Sequence, residues 1–217
     1  MKVSTSVILH GLFTKYADLS EIQNDIRAAV KALTTAYHHD GKILVCGNGG
    51  SAADSEHIVG ELMKGFLLPR RVTGEIAKKL LATYPEEAGQ MLCSLQQAAP
   101  AISLVSQTAL MTAFGNDLSS EMVFAQQVLG YGQPGDVLLA ISTSGNSANV
   151  LHAARVAHVK GVKVVSLTGK TGGKLKALSD ICICAPSDVT FEIQEYHLPI
   201  YHCLCACVEN ELFGDAQ

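Results

Sequence analysis

The 217-residue chain is 48% hydrophobic and 17% charged, with a formal net charge of −4, which excludes a disordered chain and suits one domain with a substantial core. No apolar run reaches the roughly 18 residues of a membrane span, and without a basic stripe a nucleic-acid surface has no support. The opening MKVSTSVILHGLF has one lysine and a short apolar run but no small-residue cleavage site before the next charges, so it reads as the start of a helix, not a leader.

Residues 6–38 read as helical, in one long or two shorter pieces, and a helical arm placed ahead of a sheet often packs on another subunit. Three segments then share one grammar. KILVCGNGGSAADSEHI, DVLLAISTSGNSANVLHAARVA and VKVVSLTGKTGGKLKAL each pass from a β-rich run through a Gly/Ser/Thr loop into a helical pattern. Repeated strand–loop–helix units predict a parallel sheet with helices on both faces. AISLVS at 101–106 and DICICA at 180–185 read as two further strands, so the expectation is a three-layer αβα sandwich on a five-stranded parallel sheet, one domain over 1–217. About 1–38 is its helical arm and about 69–100 a helical insertion. Ligands of such sheets bind beyond the carboxyl ends of the strands, where all the small-residue loops lie. After the last strand, SDVTFEIQEYHLPIYHCLCACVENELF starts on a cap candidate and turns apolar, with Pro199 expected to kink the helix.

The first loop satisfies G-x-G-x-x-A through Gly47, Gly49 and Ala52, but no strand ending in an acidic residue follows to hold a ribose. GKT at Gly169–Thr171 lacks a P-loop's upstream glycine, since Val164 stands there, and Ser142 occupies the first glycine of a nucleophile elbow. The second loop, STSGNS, supplies hydroxyls from Ser142, Thr143, Ser144 and Ser147 at the start of a helix. Serines cap helices routinely, but so many hydroxyls exceed what a cap needs, and helix-start N–H groups favour an anion such as phosphate.

His57 and Glu61 are four apart and share a helix face. Far downstream, Gln194, His197 and His202 lie on the last helix, and Gln194 and His202, eight apart, fall close to one face. A His and a Glu from one helix with a Gln and a His from another make a plausible N/O set for Zn²⁺. Spacing alone leaves this open, because His–Glu pairs and lone histidines are common on ordinary helices. The seven cysteines show no CxxC spacing and sit in apolar stretches, which reads as buried thiols in a reducing cytosol. In Cys203, Cys205 and Cys207 neighbours two apart point to different faces of a helix, so the three do not read as one metal set.

In chain order, CGNGGS…H-x-x-x-E, GND, GDVLLAISTSGNSANV, SLTGKTGGKL and IQE-x-H…H resemble the sugar isomerase (SIS) domain family, and within it the phosphoheptose isomerases. The resemblance spans about Lys42 to Phe213 apart from the insertion. STSGNS marks only the broad sugar-phosphate-binding family, whereas His57, Glu61, Gln194 and His202 together are the specific part. The resemblance implies a flavodoxin-like SIS fold and a cytoplasmic homotetramer with active sites at subunit interfaces. It implies that Asn48, Gly49, Gly50, Ser51, Asn116 and Asp117 line a phosphorylated sugar with Glu61 and Gln194, and that Ser142, Thr143, Ser144 and Ser147 grip its phosphate. One zinc ion per site would sit on His57, Glu61, Gln194 and His202. With Glu61 as base and His202 as acid, the implied activity is an aldose–ketose isomerisation, sedoheptulose 7-phosphate to D-glycero-D-manno-heptose 7-phosphate through an enediol. A non-catalytic SIS module that binds a sugar phosphate or a partner is the rival from another class, and an isomerase of another phosphorylated ketose is the second. Three departures bear on the sugar's far end: Lys64 and Gly65 where an arginine is usual, Glu192 where a basic residue is usual, and a long stretch from Leu67 to Ser106.

Overall fold

The computed structural model describes residues 1–214. Its five strands are β1 (Ile43–Cys46), β2 (Ala101–Ser103), β3 (Val137–Ser142), β4 (Lys163–Thr168) and β5 (Ile181–Cys184). Every neighbouring pair is parallel, in the order β2-β1-β3-β4-β5. The register sets Val45 opposite Leu139 and Leu139 opposite Val165. Along each inner strand the side chains alternate between two buried clusters. Ile43, Val45, Val137, Leu139, Ile141, Val165 and Leu167 enter one, and Leu44, Cys46, Leu138, Ala140 and Val164 enter the other. Both faces of a parallel sheet are covered, which is why these strands read as unbroken apolar runs. β2 stops at Ser103, short of the predicted Ser106, because the chain turns back there with Ser106 N donating to the Ser103 carbonyl.

The helices are α1 (Val3–Lys15), α2 (Gln23–His38), α3 (Gly50–Met63), α4 (Gly74–Thr83), α5 (Ala88–Ser94), α6 (Thr108–Phe114), α7 (Val123–Tyr131), α8 (Ala148–Val159) and α9 (Thr190–Phe213). The arm is two helices parted by a tight turn over Ala17–Ile22. Its inner face closes on its own chain: Leu9 and Leu12 join the core, and Thr5 Oγ1 and Lys2 N donate to Glu211 of α9 at 2.5 and 2.6 Å. Val3 and Val7 on the outer face stay exposed. The insertion holds α4, which buries no residue, and α5, which buries only Ala88. Cys93 is exposed there, unlike the buried Cys46, Cys203, Cys205 and Cys207, because α5 packs on so little.

α9 lies across one face of the sheet and is apolar nearly all round, burying Ile193, Ile200, Tyr201, Leu204 and Val208 among others. The helix continues through Pro199, whose missing N–H leaves the Glu195 carbonyl without its helical donor; Glu195 is exposed, so water can replace it. His197, fully buried, sets Nε2 3.2 Å from the Thr168 carbonyl and leaves Nδ1 without a partner. Burial pushes its pKa down to about 4, with the Thr168 bond opposing. The unfolded chain takes up this proton near its ordinary value of 6.5 and the folded chain only near 4, so between those values the unfolded state binds more protons and stability falls with pH. Melting temperatures measured by circular dichroism from pH 6.5 down to 4 should therefore drop, and His197→Gln should flatten the slope; an unchanged slope in the variant would assign it to other groups.

Candidate active site

In the strand order β2-β1-β3-β4-β5 the winding reverses between β1 and β3, and the crevice outside the carboxyl ends of those strands is where such sheets take ligands. Both small-residue loops open there. Asn48, just after β1, and Asn149, in the first turn of α8, exchange two amide hydrogen bonds of 2.9 Å that tie the loops together. Gly49 turns the chain into α3 with φ of 56°, a left-handed conformation that favours glycine. In the second loop, Ser142 Oγ and Ser147 Oγ are 3.0 Å apart, and Ser144 Oγ accepts from Asn146 N at 3.2 Å. Of the N–H groups opening α8, that of Val150 is taken by Asn149 Oδ1 at 3.0 Å, while those of Ala148 and Asn149 precede the first helical acceptor.

α3 leads away from the first loop and crosses α9. At the crossing His57 Nε2 lies 3.2 Å from Glu61 Oε1 and 3.5 Å from His202 Nε2. The His202 ring packs edge-on against His57 and Tyr201, each with ring centres 4.9 Å away, and tilts against Phe66 at 5.6 Å. Burial and the neighbouring His57 push the His202 pKa below its ordinary value, while Glu61 opposes. Lys64 Nζ, three residues on at the end of α3, reaches Glu61 Oε2 at 3.2 Å. Tyr201 places its hydroxyl 3.0 Å from His57 Nδ1. Asp54 stands beside that hydroxyl, and burial raises its pKa against the opposing pull of Tyr201 and His57.

A buried ion pair holds this crossing. Arg70 Nε donates to Glu209 Oε1 at 2.7 Å, with both side chains 0–1% exposed. The other guanidinium nitrogens cap the end of α3, donating to the Leu62 and Glu61 carbonyls at 2.6 and 3.1 Å. Glu209 also receives the backbone N–H groups of Phe66, Leu67 and Leu68, and the guanidinium lies over the Phe213 ring at 4.7 Å.

The SIS domain family matches residues 15–91 and 81–169. The phosphoheptose isomerase of Thiobacillus denitrificans is 42% identical over 192 residues, 87% of this chain and 84% of that protein. That of Akkermansia muciniphila is 37% identical over 204 residues, 94% of each chain. The solved structure of phosphoheptose isomerase from Neisseria gonorrhoeae superposes with a TM-score of 0.71 at 32% identity, covering 95% of this chain and 94% of its own. The chain belongs to the SIS domain family, among the phosphoheptose isomerases. The structure from Francisella tularensis agrees, with a TM-score of 0.71 at 35% identity and 86% of each chain covered.

Within this SIS domain the residues singled out from sequence do not all play the same part. His57, Glu61 and His202 meet. Gln194 comes from the first turns of α9 to the start of α3, so close to Gly50 that a Cβ there would collide with its amide. Ser51 is 3% exposed and lies beneath the loop. Asn116 and Asp117 sit exposed in the π-helical stretch Gly115–Ser119 after α6, where Asn116 Nδ2 donates to Asp117 Oδ1 at 2.9 Å, with no hydrogen bond to the His57 cluster. Sequence reading overlooked Asp54, Arg70, Asn149, Tyr201 and Glu209. Their partners stand as far as 144 residues away, beyond the reach of any spacing rule.

The donor chemistry of His57, Glu61, Gln194 and His202 fits a divalent ion of zinc's kind. Ligands of a tetrahedral zinc with bonds of about 2.0–2.1 Å stand about 3.3–3.4 Å apart. The 3.2 and 3.5 Å contacts made by His57 Nε2 bracket that separation. Among the described residues no three His, Cys, Asp or Glu groups already form a metal-holding set, so the Gln194 amide and a small closure of the other side chains would complete it. Gly50→Ala should push Gln194 aside, lowering turnover at least about tenfold while the melting temperature moves little; steady-state kinetics and thermal melts check both, and unchanged turnover would free Gln194 of any role.

Proposed function

We propose that this chain isomerises a phosphorylated heptose, converting sedoheptulose 7-phosphate to D-glycero-D-manno-heptose 7-phosphate. The observation that carries the reading is the meeting of Glu61 and His57 on α3 with His202 on α9, next to a hydroxyl-rich loop at the β1/β3 crevice. Aldose–ketose isomerisation moves a proton between adjacent carbons through an enediol, so it needs a base at one face of the carbons and a donor for their oxygens. Glu61, with one oxygen toward His57 and the other toward Lys64, supplies the carboxylate that takes the C–H proton.

His202 supplies the donor. With its pKa lowered, the ring is neutral at neutral pH, and a neutral imidazole can still give an N–H to a developing oxyanion. His202 Nε2 cannot hold a proton and a cation at once, so its roles as acid and as metal ligand exclude each other at that atom. His57, Glu61, Gln194 and His202 would hold a zinc ion, and when bound the ion, in place of the His202 N–H, would polarise the sugar's carbonyl and hydroxyl oxygens. Thr143, Ser144 and Ser147, with the free N–H groups opening α8, bind the phosphate without a charged side chain, while Ser142, expected from sequence to join them, is buried and turned to Ser147 and so supports the loop from beneath. Holding that remote group fixes the reacting carbons against Glu61.

The reading extends to a homotetramer whose sites lie at subunit interfaces. In its favour is a groove of about 460 Å³ beside His202, lined by Ile8, Leu12, Tyr16, Phe66 and Pro199, with Leu67 and Leu198 exposed along it. Among the described residues no helix is long and apolar enough to cross a membrane. Seven free cysteines support a reducing cytoplasm as the setting.

Incubation with sedoheptulose 7-phosphate in D₂O should place deuterium at the carbon next to the carbonyl of the product. Glu61→Gln should lower turnover about 10²–10⁴-fold, the range of a positioned general base, while leaving sugar-phosphate binding nearly intact. Full activity in that variant removes Glu61 from the chemistry, and absence of turnover on C5 to C7 ketose phosphates overturns the isomerase reading.

A further inference from the structure

Two polar side chains behind His57 have no part in the chemistry above. Tyr201 is 1% exposed, yet it keeps its hydroxyl 3.0 Å from His57 Nδ1. Asp54, three residues before His57 on α3, stands against the same hydroxyl, and its Oδ2 is buried with no partner. A buried polar atom left unpaired costs free energy and calls for an explanation.

The bonding alternatives around His57 provide one. A neutral imidazole carries a single hydrogen on one of its two nitrogens. With the hydrogen on Nε2, it points at Glu61 Oε1, Tyr201 donates to Nδ1, and Asp54 has nothing to do. With the hydrogen on Nδ1, the Tyr201 oxygen accepts it and the phenol's own hydrogen needs a second acceptor. Asp54 is that acceptor, and its unpartnered oxygen is the vacancy the arrangement requires. Nε2 then presents a lone pair toward the space shared with Glu61 and His202, the form in which a histidine can ligate a cation.

We propose that Tyr201, backed by Asp54, is a positioning residue that holds His57 with its hydrogen on Nδ1 and its Nε2 free as the donor in the active site. The proposal rests on the functional reading given above, yet it concerns the ring's tautomer and can fail independently of it. Tyr201 acts through His57 and touches no substrate. Both Tyr201 and Asp54 come from the elements whose crossing builds the site, so the ring is gripped from α3 and α9 together.

The test uses the full chain labelled with ¹⁵N-histidine and titrated with zinc chloride, without any sugar. Long-range ¹H–¹⁵N spectra should show the His57 signals move on zinc addition to a pattern with the hydrogen on Nδ1. Tyr201→Phe removes one oxygen and should leave the circular dichroism spectrum and melting profile close to the parent's. It should weaken zinc binding about 10–100-fold, the usual effect of losing such a support, and Asp54→Ala should do the same. The double variant should bind no worse than the weaker single one, because the two groups act as a unit. Tyr201→Phe with parental zinc affinity and an unchanged His57 pattern overturns the proposal, as does a parent chain whose His57 signals ignore zinc. An Asp54→Ala variant that behaves as the parent while Tyr201→Phe does not overturns the part given to Asp54. Turnover enters none of these readouts, so loss of the isomerase reading and loss of this proposal are separate results.

Discussion

Arg70 and Glu209 are opposite charges with almost no exposure, and the path of the chain from α3 into the insertion is built around them. Such a pair is tolerable only when its remaining hydrogen-bonding capacity is filled, and here it is. The guanidinium caps the carbonyls of Glu61 and Leu62, and the carboxylate gathers three backbone N–H groups from Phe66 to Leu68. Loss of either partner strands a charge in the interior, at about 3–5 kcal/mol. The chain leaving α3 therefore has one route that satisfies everything. Because the carbonyl of Glu61 itself is one of the acceptors, the backbone that carries the carboxylate is pinned by the same network. Glu209 is two helical turns beyond His202 on α9, so the pair also fixes where His202 arrives.

From this anchor the division of labour in the site follows. The β1/β3 crevice supplies what any phosphorylated ligand needs, namely helix-start N–H groups, small hydroxyl side chains and close backbone approach. The α3/α9 crossing supplies what the reaction needs, a carboxylate and imidazoles in mutual contact. The Asn48–Asn149 amide pair and the tight fit of Gln194 against Gly50 join the two parts, so binding energy from the phosphate end can be used to orient the carbons at the other.

The two departures around Glu61 take on physical meaning in this setting. Lys64 brings a positive charge to Glu61 Oε2, and Gly65 N donates to Gln96 at the far end of the insertion at 2.6 Å. The end of α3 is thus tied both to the site and to the excursion, whose own helices bury almost nothing. Glu192, by contrast, accepts from Ser187 Oγ at 2.6 Å and serves the entry to α9 rather than the cluster.

Much of the fold was legible in the linear order of residues because it rests on local periodicity. Unbroken apolar runs followed by Gly/Ser/Thr loops announce strands buried on both faces, and all five strands lie where those runs are. His57 and Glu61 were legible as a pair because one helical turn brings them together. Gln194, His202 and the hydroxyl loop were legible as candidates by residue type and by family resemblance, but spacing could not say whether they would converge. The sequence by itself determined the elements, the loops that end them and the chemical types available at those loops, since these depend on neighbours a few positions away. Only the tertiary structure decided that α3 and α9 cross where His57 meets His202, that Arg70 finds Glu209, and that Tyr201 and Asp54 stand behind one imidazole. Those contacts join residues more than a hundred positions apart, and they exist only once the two helices pack on the same face of the sheet.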